Sequence, residues 1–226
     1  MSEVKQQTQH LKVKGVVDLV FCFDCTGSMQ NCIDKVKNNV QAFVDELKNQ
    51  SQMVPDWRVR AMGYRDFNSD TEKIINHFPF VNDVTSFQNQ LGQLVAEGGG
   101  DNPESTFDAL WYALKETNWR ETGKCHKVIV LFTDDDTHPV HQDTIDRFGI
   151  TDATLTYLLQ ELALNKIKVF LFGKSCDNYE QFNLLPKASI KLFPEPNKEF
   201  DNADFKELLE TIAKTVSSEA AALQPL

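Results

Sequence analysis

The chain has 226 residues, of which 41% are hydrophobic and 25% charged, a composition that excludes a disordered, fibrous or collagen-like protein. Its formal charge is −10, from 23 basic and 33 acidic side chains, with no basic arm or stripe; without clustered cations to release phosphate counterions, nucleic acid and anionic membrane are not expected partners. No apolar run approaches the roughly 20 residues that cross a bilayer, and the polar start Met1–Gly15 lacks the apolar stretch of an export signal, so a cytoplasmic location is expected.

Val16 to Phe23 (VVDLVFCF) reads as a buried strand. Gln30 to Asn49 places Ile33, Val36, Val40, Phe43, Val44 and Leu47 at spacings of three and four, which predicts an amphipathic helix. Trp57 to Tyr64 reads as a second strand. Lys73 to Val81 follows after a link too short for a helix, so it should pair antiparallel, and Pro79 puts it at an edge. Val84 to Ala96 predicts a second helix. Pro103 suits the first turn of a third, capped by Asn102 or Asp101, with Phe107, Leu110, Trp111 and Leu114 as its apolar face.

His126 to Thr133 (HKVIVLFT) is the next buried strand, Thr151 to Leu164 a helix and Lys168 to Phe172 a strand. Asp177 to Leu185 reads as a short helix, Ser189 to Phe193 as a last strand and Asn202 to Val216 as a closing helix. Residues 1–14 and 217–226 read as a flexible arm and tail around one domain, 15–216. Strands alternating with helices predict an α/β fold: a doubly wound, mostly parallel six-stranded sheet with one antiparallel edge strand and helices on both faces.

In such sheets ligands bind beyond the carboxyl ends of the strands, where strand order reverses. The first strand runs into Asp24-Cys25-Thr26-Gly27-Ser28, and the strand ending at Thr133 runs into Asp134-Asp135-Asp136. Between them lies Gly98-Gly99-Gly100-Asp101-Asn102-Pro103-Glu104, a glycine-rich turn opening a helix. If the first and fourth of these strands are neighbours, Asp24 and Asp134 end side by side. Carboxylates with two hydroxyls and no basic residue suit a hard cation such as Mg²⁺, which takes oxygen ligands and keeps several waters. Gly27 would let the backbone turn tightly.

These motifs resemble the von Willebrand factor A domain and its metal-ion-dependent adhesion site, over roughly Val16 to Val216. Tyr64-Arg65-Asp66 and the Gly-Gly-Gly-Asp-x-Pro-Glu run are similar to the subgroup found in hemicentins and slime-mould alpha-kinases. The resemblance implies a Rossmann-like, non-enzymatic module that binds Mg²⁺ or Mn²⁺ and captures a carboxylate of a protein partner, as a monomer or weak oligomer. Thr26 and Ser28 would touch the metal, Asp24 and Asp134 would act mostly through water, and Asp101 would supply the middle loop, with Glu104 and Thr106 as alternatives.

Two other readings compete. Phe23 to Ser28 also resembles the motif of haloacid-dehalogenase-type phosphotransferases, with Asp24 as nucleophile, although Cys25 replaces the lysine expected there. A metal-free scaffold of the same architecture is the other. The five cysteines, including the Cys22-Cys25 CxxC, read as reduced thiols acting as small hydrophobes. Asp135 and Asp136 read as a solvated loop, His138 and His141 as ordinary loop histidines, and Arg65 with Asp66 as an ion pair near the rim.

Overall fold

The computed structural model describes residues 15–49, 56–75, 78–99, 103–121 and 125–222. Six strands form one sheet: β1 Val16–Asp24, β2 Asp56–Tyr64, β3 Ile74–Ile75, β4 Cys125–Phe132, β5 Ile167–Lys174 and β6 Ala188–Phe193. Their order is β3-β2-β1-β4-β5-β6, parallel except for the antiparallel edge strand β3. The helices are α1 Gln30–Asn49, α2 Val84–Leu91, α3 Thr106–Glu116, α4 Gln142–Phe148, α5 Leu155–Leu164, α6 Asp177–Glu180, α7 Pro196–Asn202 and α8 Phe205–Ala222. This is the predicted doubly wound α/β architecture.

The two faces of β1 explain its unbroken apolar run. Side chains alternate across a strand, so Phe21 and Phe23 pack with α1, α2 and α8, while Val20 and Cys22 pack with α3 and α5. On the first face Phe132 stacks between Phe23 and Phe172, with centroids 5.2 and 5.0 Å away, and meets Phe205 at 6.1 Å. One charge interrupts the strand. Asp18, fully buried, accepts from Arg58 and Arg120. Burial pushes its carboxyl up, but these charged donors outweigh it and hold the group below its ordinary value.

Several boundaries differ from those read in sequence. Among the described residues, the strand expected over Lys73 to Val81 pairs at Ile74–Ile75 and in an isolated bridge between Val81 and Val59; residues 76 and 77 lie outside them. Pro79 has no N–H for the ladder, and Gln90 of α2 serves instead. Its amide accepts from Ala61 N at 2.9 Å and donates to Pro79 O at 2.7 Å. Helix α2 stops at Leu91 rather than Ala96, and the chain beyond it is drawn toward α1, where Ala96 N donates to Gln30 at 3.0 Å.

Helices α4 and α7 were not anticipated. α4 is fixed by its ends, with His141 accepting from Asp143 N and Gly149 in the left-handed conformation that glycine favours. α5 begins at Leu155, capped by Thr154, later than the expected Thr151. α8 runs on to Ala222: Ser217 is buried and Glu219 pairs with Lys168, so residues 217–222, expected in the tail, continue the helix. The expected arm, 1–14, lies outside the described residues.

Candidate metal centre

β1 and β4 are hydrogen-bonded neighbours, with Phe23 level with Phe132. This register brings Asp24 and Asp134 together at the carboxyl edge, where strand order reverses. Asp24 has no exposed surface, and its oxygens are occupied. Oδ1 accepts from Thr26 N at 2.9 Å and Thr26 Oγ1 at 2.7 Å, and Oδ2 from Thr133 Oγ1 at 3.2 Å. Thr26 is thereby held inward. Ser28, in a 3₁₀ turn over Gly27–Met29 that leads into α1, is exposed on the rim.

In the middle loop the start of the third helix differs from the expectation. Asp101 lies outside the described residues. Helix α3 begins at Thr106, not at Pro103, because the chain before it is drawn across to the β4 loop. There Glu104 N donates to Asp136 O at 2.9 Å, and His138 N to Glu104 O at 2.6 Å. Thr106 is fully buried, with its hydroxyl bonded to Tyr64 at 2.7 Å and Tyr179 at 2.9 Å. Glu104, only 4% exposed, faces the Thr26 side chain, and its Oε2 is buried with no hydrogen-bond partner.

Two acids are strongly perturbed. Burial, then the Asp134 charge, raises Asp24 to about 7 against the lowering effect of its threonine donors. Burial, then the Asp24 charge, raises Glu104 to about 9, with Asp134 and Asp66 adding to the effect. Among the described residues, the groups that shift either acid most are acids and threonines, not basic side chains. Like charges gathered in a buried edge hold protons unless a cation neutralises them.

Among the described residues, no three histidine, cysteine or carboxylate side chains converge closely enough to hold an ion by themselves. A cation here would therefore draw on hydroxyls and water as well. The donor set fits a hard ion of that kind: oxygen only, with the buried Glu104 Oε2 left without a hydrogen-bond partner.

The surrounding acids are engaged elsewhere. Asp135 pairs with Lys174, and Asp136 accepts from Asn178 at 2.9 Å and from the Cys176 thiol at 3.1 Å. The two loop histidines have local tasks, His141 capping α4 and the His138 N–H bonding Glu104. Arg65 does not pair with Asp66. It binds Glu72 at 2.8 Å and Glu97 at 3.1 Å. Gly27 does not adopt a left-handed conformation, unlike Gly98 and Gly99 at φ +80° and +79°.

Thr133 was overlooked, although its place directly before Asp134 at the end of an apolar run was a readable signal. All five cysteines are free, and Cys22, Cys25 and Cys32 are buried, with burial raising their thiols.

A mostly parallel sheet with helices on both faces and paired acids at its switch point defines a doubly wound α/β domain. Within it, a family model described as the von Willebrand factor A domain matches residues 18–163, and the chain belongs to that family. The chain is 26% identical over 136 residues to the alpha-protein kinase vwkA of Dictyostelium discoideum, a match covering 60% of the chain and 21% of that protein. It thus spans about a fifth of that relative's length.

Two solved structures share the fold. The SpRpn10 VWA domain matches with a TM-score of 0.55 at 13% identity, over 84% of this chain and 96% of that one. A von Willebrand factor type A protein from Catenulispora acidiphila matches with a TM-score of 0.56 at 14% identity, over 91% and 43%. Domains of this family are typically protein-interaction modules. Among the described residues no helix is long and apolar enough to cross a membrane.

Proposed function

We propose that this domain binds Mg²⁺ or Mn²⁺ at the β1–β4 edge and uses it to capture a carboxylate of a protein partner. Thr26 and Ser28 supply hydroxyl ligands, and Asp24 and Asp134 neutralise the ion mostly through water. Glu104 takes the middle-loop role for which Asp101 is the other candidate. The carrying observation is the buried Glu104 carboxyl beside Thr26, with Oε2 without a hydrogen-bond partner. A buried polar atom without a partner costs about 1–3 kcal/mol, and a bound ion relieves that cost while allowing the clustered acids to ionise.

The exposed Ser28 would leave one side of the ion open to an incoming oxygen. Asp24 is poorly placed as a phosphotransfer nucleophile, since it is fully buried with both oxygens already accepting. Thermal unfolding of wild type and Ser28→Ala in chelator, Mg²⁺ and Mn²⁺ tests the reading. A ligand that binds only the folded state stabilises it by about 2.7 kcal/mol at a hundredfold excess over Kd. Wild type should shift upward with either ion, and Ser28→Ala should lose most of that shift while keeping its midpoint in chelator. No shift in wild type at millimolar ion would favour a metal-free scaffold.

A further inference from the structure

The loop that follows β2, residues 65–70, touches both flanks of the glycine-rich segment, yet supplies no side chain to the donor set described above. Arg65, whose side chain is 7% exposed, donates to Val95 O at 3.0 Å and to Glu97 at 3.1 Å. Asp70 Oδ2 accepts from Gly99 N at 3.1 Å and from Asp66 N at 3.1 Å. Asp66, fully buried, accepts from Asn68 N at 3.0 Å, Ser69 Oγ at 2.6 Å and Ser105 Oγ at 3.2 Å. Ser105 Oγ in turn accepts from Phe67 N at 2.9 Å.

Short bonds carry these fixings through to the donor set. Glu97 N donates to Cys25 O at 2.9 Å, and Gly27 N to Gly98 O at 3.3 Å. A Cβ on Gly99 would lie 3.0 Å from the Thr26 Cβ and 3.8 Å from Glu104 Oε1. One flank, 97–99, is thus pressed between Asp70 and the 25–27 loop. The other flank, 103–105, is tied at Ser105, the residue after Glu104.

We propose that Asp70 and Asp66 are positioning residues for the metal centre. Through hydrogen bonds to Gly99 N and Ser105 Oγ they set the distance between Glu104 and the Thr26–Ser28 loop, and so set the affinity for the ion. This rests on the metal reading above. The partners behind a metal's direct ligands typically govern its affinity by about 10–100-fold. Asp70 is the cleaner probe, because it lies at the surface edge of the clamp, whereas Asp66 is fully buried.

The test uses Mn²⁺ alone, titrated into wild type, Asp70→Ala and Asp70→Asn, with the unfolding midpoint of each also measured in chelator. Asp70→Ala should weaken Mn²⁺ binding by about tenfold or more while its chelator midpoint stays close to wild type. Asp70→Asn keeps an oxygen that accepts from Gly99 N and should restore most of the affinity.

Wild-type affinity in Asp70→Ala, beside a clear wild-type response, would overturn the clamp alone. So would a loss of chelator stability in step with the loss of binding, since that marks a structural residue only. Failure of Asp70→Asn to rescue would show that the charge, not the hydrogen bond, matters, and would also overturn it. No Mn²⁺ response in wild type would overturn the metal reading and, with it, the role assigned to the clamp.

Discussion

Glu104 and Asp24 hold protons at pH values where surface carboxylates have none, and that has a measurable consequence for stability. For an acid whose folded pKa is raised, the unfolded chain ionises first. The stabilising contribution is complete below the unfolded value, 4.5 for Glu104, and is lost as pH rises through about 9. In chelator the midpoint of wild type should therefore fall between about pH 5 and pH 9. Glu104→Gln should fall less and should exceed wild type near pH 8, because the amide cannot be forced to ionise. Thermal scans across that range check it. A steeper fall in Glu104→Gln would show that Glu104 ionises freely in the folded state.

At this scale the sequence was informative about β1 and β4 and less so about the loop between them. Asp24, Thr26, Ser28 and Asp134 are legible because each sits directly after an apolar strand. Glu104 stood as an alternative to Asp101, which lies outside the described residues; its inward course depends on backbone bonds to Asp136 and His138, thirty-odd residues away, which no local pattern records.

Among the elements, the glycine-rich segment is the most demanding. Gly98 has φ +80°, and a Cβ there would lie 2.1 Å from Asp70 Oδ1. An L-residue in the left-handed region costs about 1–2 kcal/mol, and displacing Asp70 breaks its bond to Gly99 as well. Gly98→Ala should therefore destabilise by at least that amount in urea denaturation. Gly27→Ala is the control: its Cβ would meet only Gly98 O, at 3.6 Å, without a left-handed backbone. That variant should stay within about 0.5 kcal/mol of wild type. Equal effects at the two positions would mean that the segment is not held as described.

Helix α1, long and strongly periodic, was read to the residue, and β2 within one. The helix ends that were misread share a cause. α2 and α3 give up residues at the ends near the β1–β4 edge, where backbone N–H groups bond to Gln30, Cys25 and Asp136 instead of continuing a helix. The short helices α4 and α7, seven residues each, carry too few turns for apolar periodicity to register.

For the whole molecule, the order β3-β2-β1-β4-β5-β6 is what turns scattered motifs into one place. Asp24 and Asp134 are 110 positions apart in the chain and meet only because β1 lies against β4. The layered pattern of strands and helices made that neighbourhood predictable. The β2 loop's grip on the glycine segment was not, since Asp66 read as an ion-pair partner of Arg65, and no local pattern marks Asp70 or Ser105 before the loops are brought together.

The proposed function requires one hard cation at this edge, between the Thr26–Ser28 loop and Glu104. Anomalous diffraction from crystals grown with Mn²⁺ tests it most directly. A single strong peak is expected at the β1–β4 edge, within about 2–2.5 Å of the Thr26 and Ser28 hydroxyl oxygens, with Glu104 turned toward it. Well-ordered hydroxyls at that edge with no peak beside them, or a peak bound only elsewhere on the surface, would contradict it.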